Sequence, residues 1–368
     1  MSKKEQSLPA KILLLPLSKV YGMVTSLRNN MFDWKILKQH EFSIPTISIG
    51  NISAGGTGKT PHTEYLVGAL RNDYNIAVLS RGYKRATSGF VLATPHSTPR
   101  DIGDEAYQVY HKFGRKIVVA VCEDRVKGIE RILQTNPEIN LIILDDAFQH
   151  RYVKPTLSIV LTEFKEPFFR DDLLPYGRLR ESPKSKERAD IVVVTKCPDG
   201  IKPITFRTFE KDLDLRPHQS LFYSRFSYDT PRPIFRDKCR RTAELDRLGE
   251  DDVILAVCGI GNPKPFLRYV KSFRPRVKVN VFNDHHEYTR KDLEMILERF
   301  NEMKGTRKII LTTEKDAVRL LNNPYFPPEL KPYIYFVPVY VDFFRGESDS
   351  FSNTVAKLLN ERTAHSRH

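Results

Sequence analysis

The chain has 368 residues, 40% of them hydrophobic and 28% charged. That is enough for two domains of about 150 to 200 residues each, and it excludes a collagen-like or globally disordered protein. Lys and Arg number 59 against 45 Asp and Glu, and the formal charge of +14 asks for an anionic partner, whether nucleic acid, nucleotide or acidic membrane surface. Four scattered cysteines without a CxxC pair, no secretory signal and no apolar run near the eighteen or so residues of a spanning helix point to a reducing interior and to a chain that does not cross a membrane.

Residues 1–40 form the first segment, with seven Lys or Arg against Glu5 and Asp33. Leu13, Leu17, Val20, Val24, Leu27, Met31 and Trp34 recur at alternating spacings of four and three, which places them on one stripe of a helix over about residues 10–34. Lys11, Lys19, Arg28 and Lys35 flank the stripe. Such a helix can lie in a bilayer interface, or it can pack on the protein's own core; periodicity alone allows both.

Strand and helix then alternate. Strands are predicted at Thr46–Ile49, Ile76–Leu79, Ile117–Val121, Leu141–Leu144, Leu157–Leu161 and Ile191–Val194, mostly as continuous apolar runs, the pattern of strands buried on both faces. Helical spacing at Thr60–Leu70, Glu105–Phe113 and Asp124–Leu133 separates several of them, so an α/β fold with a doubly wound parallel sheet over residues 41–201 is the economical architecture. A stretch rich in Pro, Arg and aromatics, 202–250, reads as a linker region with some strand. A second series at Val253–Val257, Val277–Phe282, Lys308–Thr312 and Ile334–Val337 predicts a smaller α/β domain over 251–368.

Between the first strand and the helix that follows lies Gly50-Asn-Ile-Ser-Ala-Gly-Gly-Thr-Gly-Lys-Thr-Pro61. Here Gly55, Gly56, Thr57 and Gly58 let backbone N–H groups approach a phosphate chain, Lys59 reaches the β- and γ-phosphates, and the Thr60 hydroxyl can ligate Mg²⁺. The strict phosphate-loop pattern has Gly where this chain has Ser53, so the match is strong at its core and irregular at its start. The motif predicts nucleotide binding with Mg²⁺. Leu141–Leu144 runs directly into Asp145-Asp146, which puts at least one carboxylate at the sheet edge beside the loop as a metal ligand; solvated turn residues are the alternative.

With the phosphate loop, Ser80-Arg-Gly-Tyr83, Gly103-Asp-Glu105, Leu144-Asp-Asp-Ala-Phe-Gln-His150, Leu173–Glu181, Val194-Thr-Lys196, Asp284-His285-His286 and Thr313-Glu-Lys-Asp316, the chain resembles the tetraacyldisaccharide 4'-kinase family from about residue 10 to 340. The resemblance implies a P-loop NTPase-like kinase of two α/β/α domains. It would transfer the γ-phosphoryl group of ATP to the 4'-hydroxyl of a tetraacylated glucosamine disaccharide 1-phosphate, a lipid A precursor, and sit peripherally at the cytoplasmic face of a Gram-negative inner membrane. It further implies Asp104 as general base with His285 as its partner, and Glu105 with Asp145 and Asp146 in metal binding. Arg125 and Arg180, in motif regions, are candidates to contact the substrate's 1-phosphate or the developing charge on the γ-phosphate, with solvated surface charges as the alternative. Asp104 and His285 fall in different predicted domains, so closure over ATP is expected to bring them together. A monomer bound to an anionic membrane surface is the simplest expectation.

A transition-metal site at Asp284-His285-His286 is disfavoured, because adjacent histidines do not readily share one ion and further ligands are missing. The competing class is a nucleic-acid-stimulated P-loop NTPase. It would explain the charge, but no nucleic-acid-binding motif is present and the apolar N-terminal stripe would go unexplained, so no nucleic-acid partner is expected. A guanine-nucleotide switch would need a base-reading Asp after Lys196, and Cys197-Pro198 stands there.

Overall fold

The computed structural model describes residues 8–239 and 242–365. Helix α1, Leu8–Asp33, precedes β1 (Thr46–Asn51), α2 (Lys59–Leu70), β2 (Ile76–Ser80), β3 (Val91–Leu92), α3 (Pro99–Ile102), α4 (Asp104–Phe113), β4 (Val118–Val121) and α5 (Arg125–Thr135). Next come β5 (Leu141–Asp145), β6 (Leu157–Glu163), β7 (Ile191–Thr195), α6 (Pro203–Leu213), β8 (Ser220–Tyr228) and β9 (Arg232–Pro233). The chain continues with β10 (Val253–Cys258), α7 (Lys264–Val270), β11 (Arg276–Val281), α8 (Arg290–Asn301), β12 (Lys308–Thr313) and α9 (Glu314–Leu321). It ends in β13 (Ile334–Val337), β14 (Val339–Phe343) and α10 (Ser348–His365).

Nine strands form one sheet in the order β14-β8-β7-β6-β1-β5-β2-β4-β3, parallel except at its two edges, and five form a second in the order β11-β10-β12-β13-β9. The apolar runs predict this arrangement because each inner strand is covered on both faces. On one side of the large sheet, Leu66, Val67 and Leu70 of α2, Val109 and Phe113 of α4, and Phe351, Val355 and Leu359 of α10 share a buried cluster with Ile47, Ile49 and Ile143. On the other, Ile129 and Ile132 of α5 cluster with Ile142 and Leu144, and Phe206, Phe209 and Leu213 of α6 with Val160 and Val192. The small sheet has α8 and α9 on one face and α7 on the other. Both layers are therefore α/β/α.

The chain leaves the expected boundaries at its C-terminal end. The described residues of the expected domain 251–368 do not all stay with the small sheet: after β13 and Pro338, β14 returns to pair antiparallel with β8, Val341 opposite Phe226, and α10 buries its apolar side on the large sheet. Likewise α6 and β8, inside the expected linker 202–250, belong to the large sheet. Two chain crossings thus join the bodies, and Asp229 N–H donates to the Pro338 carbonyl at 3.1 Å where they run side by side.

Helix α1 is held by its polar side. The Ser18 hydroxyl donates to the Leu173 carbonyl (2.9 Å), the Tyr21 hydroxyl to the Arg180 carbonyl (3.0 Å), the Asn29 amide to Glu181 (3.0 Å) and the Arg28 guanidinium to the Gln149 carbonyl (3.3 Å). The predicted apolar stripe faces the other way: Leu17, Val20, Val24, Leu27 and Trp34 are 49% to 63% exposed, and the side chain of Leu13 lies outside the described residues. Core packing of these five residues is thereby excluded, although Met31 is half-buried and Phe32, off the stripe, is buried. Among the described residues no helix is long and apolar enough to cross a membrane.

Candidate active site

Strand β1 sits between β5 and β6, all parallel, with Ile49 in register with Asp145. The loop after β1 and the acidic end of β5 therefore meet at one sheet edge, as expected for a parallel sheet at the point where strand order reverses. Gly55 and Gly58 have φ of +125° and +94°, and a Cβ on Gly58 would come within 2.4 Å of the Phe226 ring. The loop is braced from outside: Asn51 Nδ2 donates to Thr57 Oγ1 (2.9 Å), Thr195 Oγ1 to the Thr57 carbonyl (2.8 Å), and Gln149 Nε2 to the Asn51 carbonyl (2.7 Å). Helix α2 starts at Lys59 with no side chain capping its first N–H groups. An uncapped helix start combines free donors with the positive end of the helix dipole, the requirement for gripping phosphate.

Behind the loop, His62 is buried with Nδ1 on the Gly58 carbonyl (2.8 Å) and Nε2 on Ser224 Oγ (2.9 Å), and burial pushes its pKa down to about 4. In the unfolded chain the value is about 6.5, so the unfolded state takes up a proton first as pH falls. Stability due to this group is complete above pH 6.5 and is lost between about 6.5 and 4, up to about 3 kcal/mol. Denaturant midpoints measured from pH 7.5 to 4.5 should fall over that window, and less steeply in His62→Gln.

Three carboxylates lie near Lys59 at the end of the phosphate loop. Asp145 ends β5, buried, and accepts from Thr63 Oγ1 at 3.1 Å. Burial, reinforced by the negative charges of Glu105 and Asp146, pushes its pKa up to about 7 despite Lys59. Asp146, at φ +49°, lies 3.7 Å from Lys59 Nζ and accepts from Arg180 Nη1 at 3.2 Å. Burial opposes ionisation of Glu105, but Lys315 (3.0 Å) and Lys59 hold its carboxyl below the ordinary range. Among the described residues no three His, Cys, Asp or Glu side chains gather into a cage able to hold an ion alone. Mg²⁺ does not need one, because it is commonly bound by one or two carboxylates together with substrate phosphates. Thr60, Asp145, Asp146 and Glu105 fit that partial set, and the crowding of acids on Asp145 is the strain a cation would relieve.

Asp104 and His285 are in contact without any closure: His285 Nδ1 lies 3.2 Å from Asp104 Oδ2, with the Tyr83 ring edge-on to the imidazole at 5.8 Å. Asp104 opens α4 after Gly103, whose φ is +82°, and His285 adopts φ +58° in the turn after β11. Sequence reasoning missed two further participants. Arg319 donates to Asp104 Oδ2 from Nε (2.9 Å) and Nη2 (2.6 Å), and Lys315 pairs with Glu105. Burial would raise the pKa of Asp104, but bonds from His285 and Arg319 outweigh it and bring it down to about 2. A signal existed: Lys315 and Arg319 are four apart on α9, hence on one face, opposite the adjacent acids Asp104-Glu105.

The two arginines expected near substrate differ. Arg180 reaches Asp146 and Gln149 Oε1 (3.4 Å) at the mouth of the site. Arg125 is buried, donates to the Cys122 and Glu123 carbonyls, and has no partner for Nε among the described residues. The Asp284-His285-His286 run is divided in use, because His286 bonds Asp292 (3.0 Å) at the start of α8 and stacks on Phe282.

Known proteins resemble the chain along nearly its whole length. Residues 10–360 match the family model described as tetraacyldisaccharide-1-P 4'-kinase. The chain is 47% identical over 360 residues to a tetraacyldisaccharide 4'-kinase of Bacteroides thetaiotaomicron, covering 96% of this chain and 94% of that protein. It is 41% identical to one from Porphyromonas gingivalis, covering 95% and 97%. The crystal structure of LpxK from Aquifex aeolicus in complex with ATP is similar with a TM-score of 0.71 at 27% identity, covering 94% of this chain and 98% of that one.

Proposed function

The chain belongs to the tetraacyldisaccharide-1-phosphate 4'-kinase family, an ATP-dependent kinase of lipid A biosynthesis, and from that footing we propose how its residues divide the work. The reaction carries the γ-phosphoryl group of ATP to the 4'-hydroxyl of a tetraacylated glucosamine disaccharide 1-phosphate. The observation that carries the assignment of roles is the uncapped start of α2, with Lys59, facing the carboxylates of Asp145, Asp146 and Glu105 at one sheet edge. Nothing in the fold or the matches favours the nucleic-acid-stimulated NTPase that charge alone allowed.

The N–H groups of Gly56, Gly58, Lys59 and Thr60 and the Lys59 ammonium hold the β- and γ-phosphates. Thr60, Asp145, Asp146 and Glu105 would hold Mg²⁺, which when bound would neutralise charge on the phosphate oxygens. Asp104 receives the hydrogen bond of the acceptor hydroxyl and aims its oxygen at phosphorus, with His285 fixing the carboxylate. Phosphoryl transfer asks more for alignment than for a strong base, so a carboxylate with a pKa near 2 is adequate. Arg180 and Arg125 serve substrate phosphate. A water-poor setting follows from the buried Lys59 and Asp145.

We further infer that α1 seats the enzyme peripherally on the cytoplasmic face of the membrane from which the acyl chains of its substrate emerge. The support is an apolar face turned to solvent on a helix anchored through polar bonds, with Lys19 and Lys35 exposed beside it. Replacing Val20, Val24 and Leu27 together by Asn should lower liposome binding at least ~10-fold, given about 1.5 to 3 kcal/mol for each immersed Val or Leu, while leaving activity on detergent-dispersed substrate. Undiminished flotation with anionic liposomes would contradict the anchor role.

A further inference from the structure

We propose that Arg319 is a positioning residue for phosphoryl transfer, pinning one oxygen of Asp104 so that the other stays open to the acceptor hydroxyl. This rests on the reading of Asp104 as the carboxylate that meets the acceptor.

Arginine and aspartate usually pair fork to fork, one donor on each carboxylate oxygen. Here both donors converge on a single oxygen. Arg319 Nε (2.9 Å), Arg319 Nη2 (2.6 Å) and His285 Nδ1 (3.2 Å) all address Asp104 Oδ2, and no donor among the described residues addresses Oδ1. A two-oxygen grip would have used up the acceptor that the substrate hydroxyl needs.

The guanidinium is itself held before Asp104 is considered. Its Nη1 donates to the Gly259 carbonyl and to Asp316 Oδ1, both at 3.1 Å. Asp316 is fully buried, and its other oxygen accepts from Gly259 N–H (2.9 Å) and Thr313 Oγ1 (2.6 Å). The turn after β10 and the first turn of α9 therefore fix the arginine in direction as well as place. His285 alone offers one bond from a turn and would leave the carboxylate free to swing about its Cβ–Cγ axis; the paired bonds from Arg319 remove that freedom. Because Arg319 and His285 come from the small-sheet body and Asp104 from the large, the acceptor carboxylate is aligned only where the two bodies meet.

The test compares the full-length chain with Arg319→Ala, Arg319→Lys and Asp104→Ala, using saturating ATP, Mg²⁺ and detergent-dispersed disaccharide 1-phosphate. Arg319→Ala should lose about 10²-fold in kcat, with the KM for ATP within about threefold, the pattern of an interaction lost from the transition state. Guanidinium ion at about 20 mM should return part of that kcat to Arg319→Ala and none to Asp104→Ala, because it can reoccupy the vacated donor position only where the carboxylate remains. Arg319→Lys should fall between, since an ammonium cannot reproduce two parallel bonds. If Arg319→Ala fails to fold with Asp316 left unpaired, Arg319→Lys decides: reduced kcat at unchanged ATP KM supports the proposal. Wild-type kcat in either variant, or a loss that guanidinium does not relieve in folded Arg319→Ala, overturns it. Should Asp104→Ala retain full activity, the reading of Asp104 fails and the proposal falls with it; an inactive Asp104→Ala beside a fully active Arg319→Ala removes the proposal alone.

Discussion

Lys59→Ala should lower kcat by at least ~10²-fold, the scale of one lost preorganised electrostatic contact at a developing charge. The side chain is nearly buried at the first residue of α2, 3.7 Å from Asp146, among acids that burial has already made costly to ionise. Without its charge the loop keeps its N–H donors, because Thr57 is still braced by Asn51 and Thr195. ATP binding should therefore weaken less than turnover. Steady-state kinetics with a folding check by circular dichroism separate the two, and near-wild-type kcat would remove Lys59 from the phosphate-contacting set. Lys59→Arg should not restore activity fully, since a planar fork does not fit a position built for a point charge.

Asp104→Ala and His285→Ala should each reduce kcat by about 10²-fold or more while ATP binding persists, and the double variant should be little worse than the poorer single, because residues that act as a unit are grossly non-additive. The 3.2 Å contact between them makes this sharper than sequence alone allowed, since the pair exists without closure. The same carboxylate oxygen is also held by Arg319, so His285→Ala leaves Asp104 partly fixed and should be the milder single. Strictly multiplicative losses in the double variant would show independent roles and defeat the pairing.

Much of the fold was legible because its main signals are local. A strand buried on both faces must be apolar throughout, so β1, β2, β5, β6 and β7 announce themselves, and the glycines that let a loop wrap phosphate can be read without neighbours. Asp145 was legible as the residue after an apolar run. What escaped depends on partners distant in sequence. The predicted strand series stops at Ile334–Val337, and nothing local says that the chain leaves the small sheet after Pro338 to join β8 as β14. The polar docking of α1 uses carbonyls of Leu173, Arg180 and Gln149, and a carbonyl has no residue signature. Arg319 was one arginine among many until α9 was laid against α4. The apolar stripe of α1 was legible as a stripe, whereas its outward direction came only with the fold.

The most direct test of the whole account is a transfer assay. The purified chain is incubated with γ-labelled ATP, Mg²⁺ and vesicles containing the tetraacylated disaccharide 1-phosphate, in parallel with an acceptor lacking the 4'-hydroxyl and with RNA. Label should appear in the lipid at the 4'-position, none should enter the 4'-deoxy acceptor, and RNA should leave ATP turnover unchanged. ATP hydrolysis that rises with RNA and leaves the lipid unlabelled would contradict it.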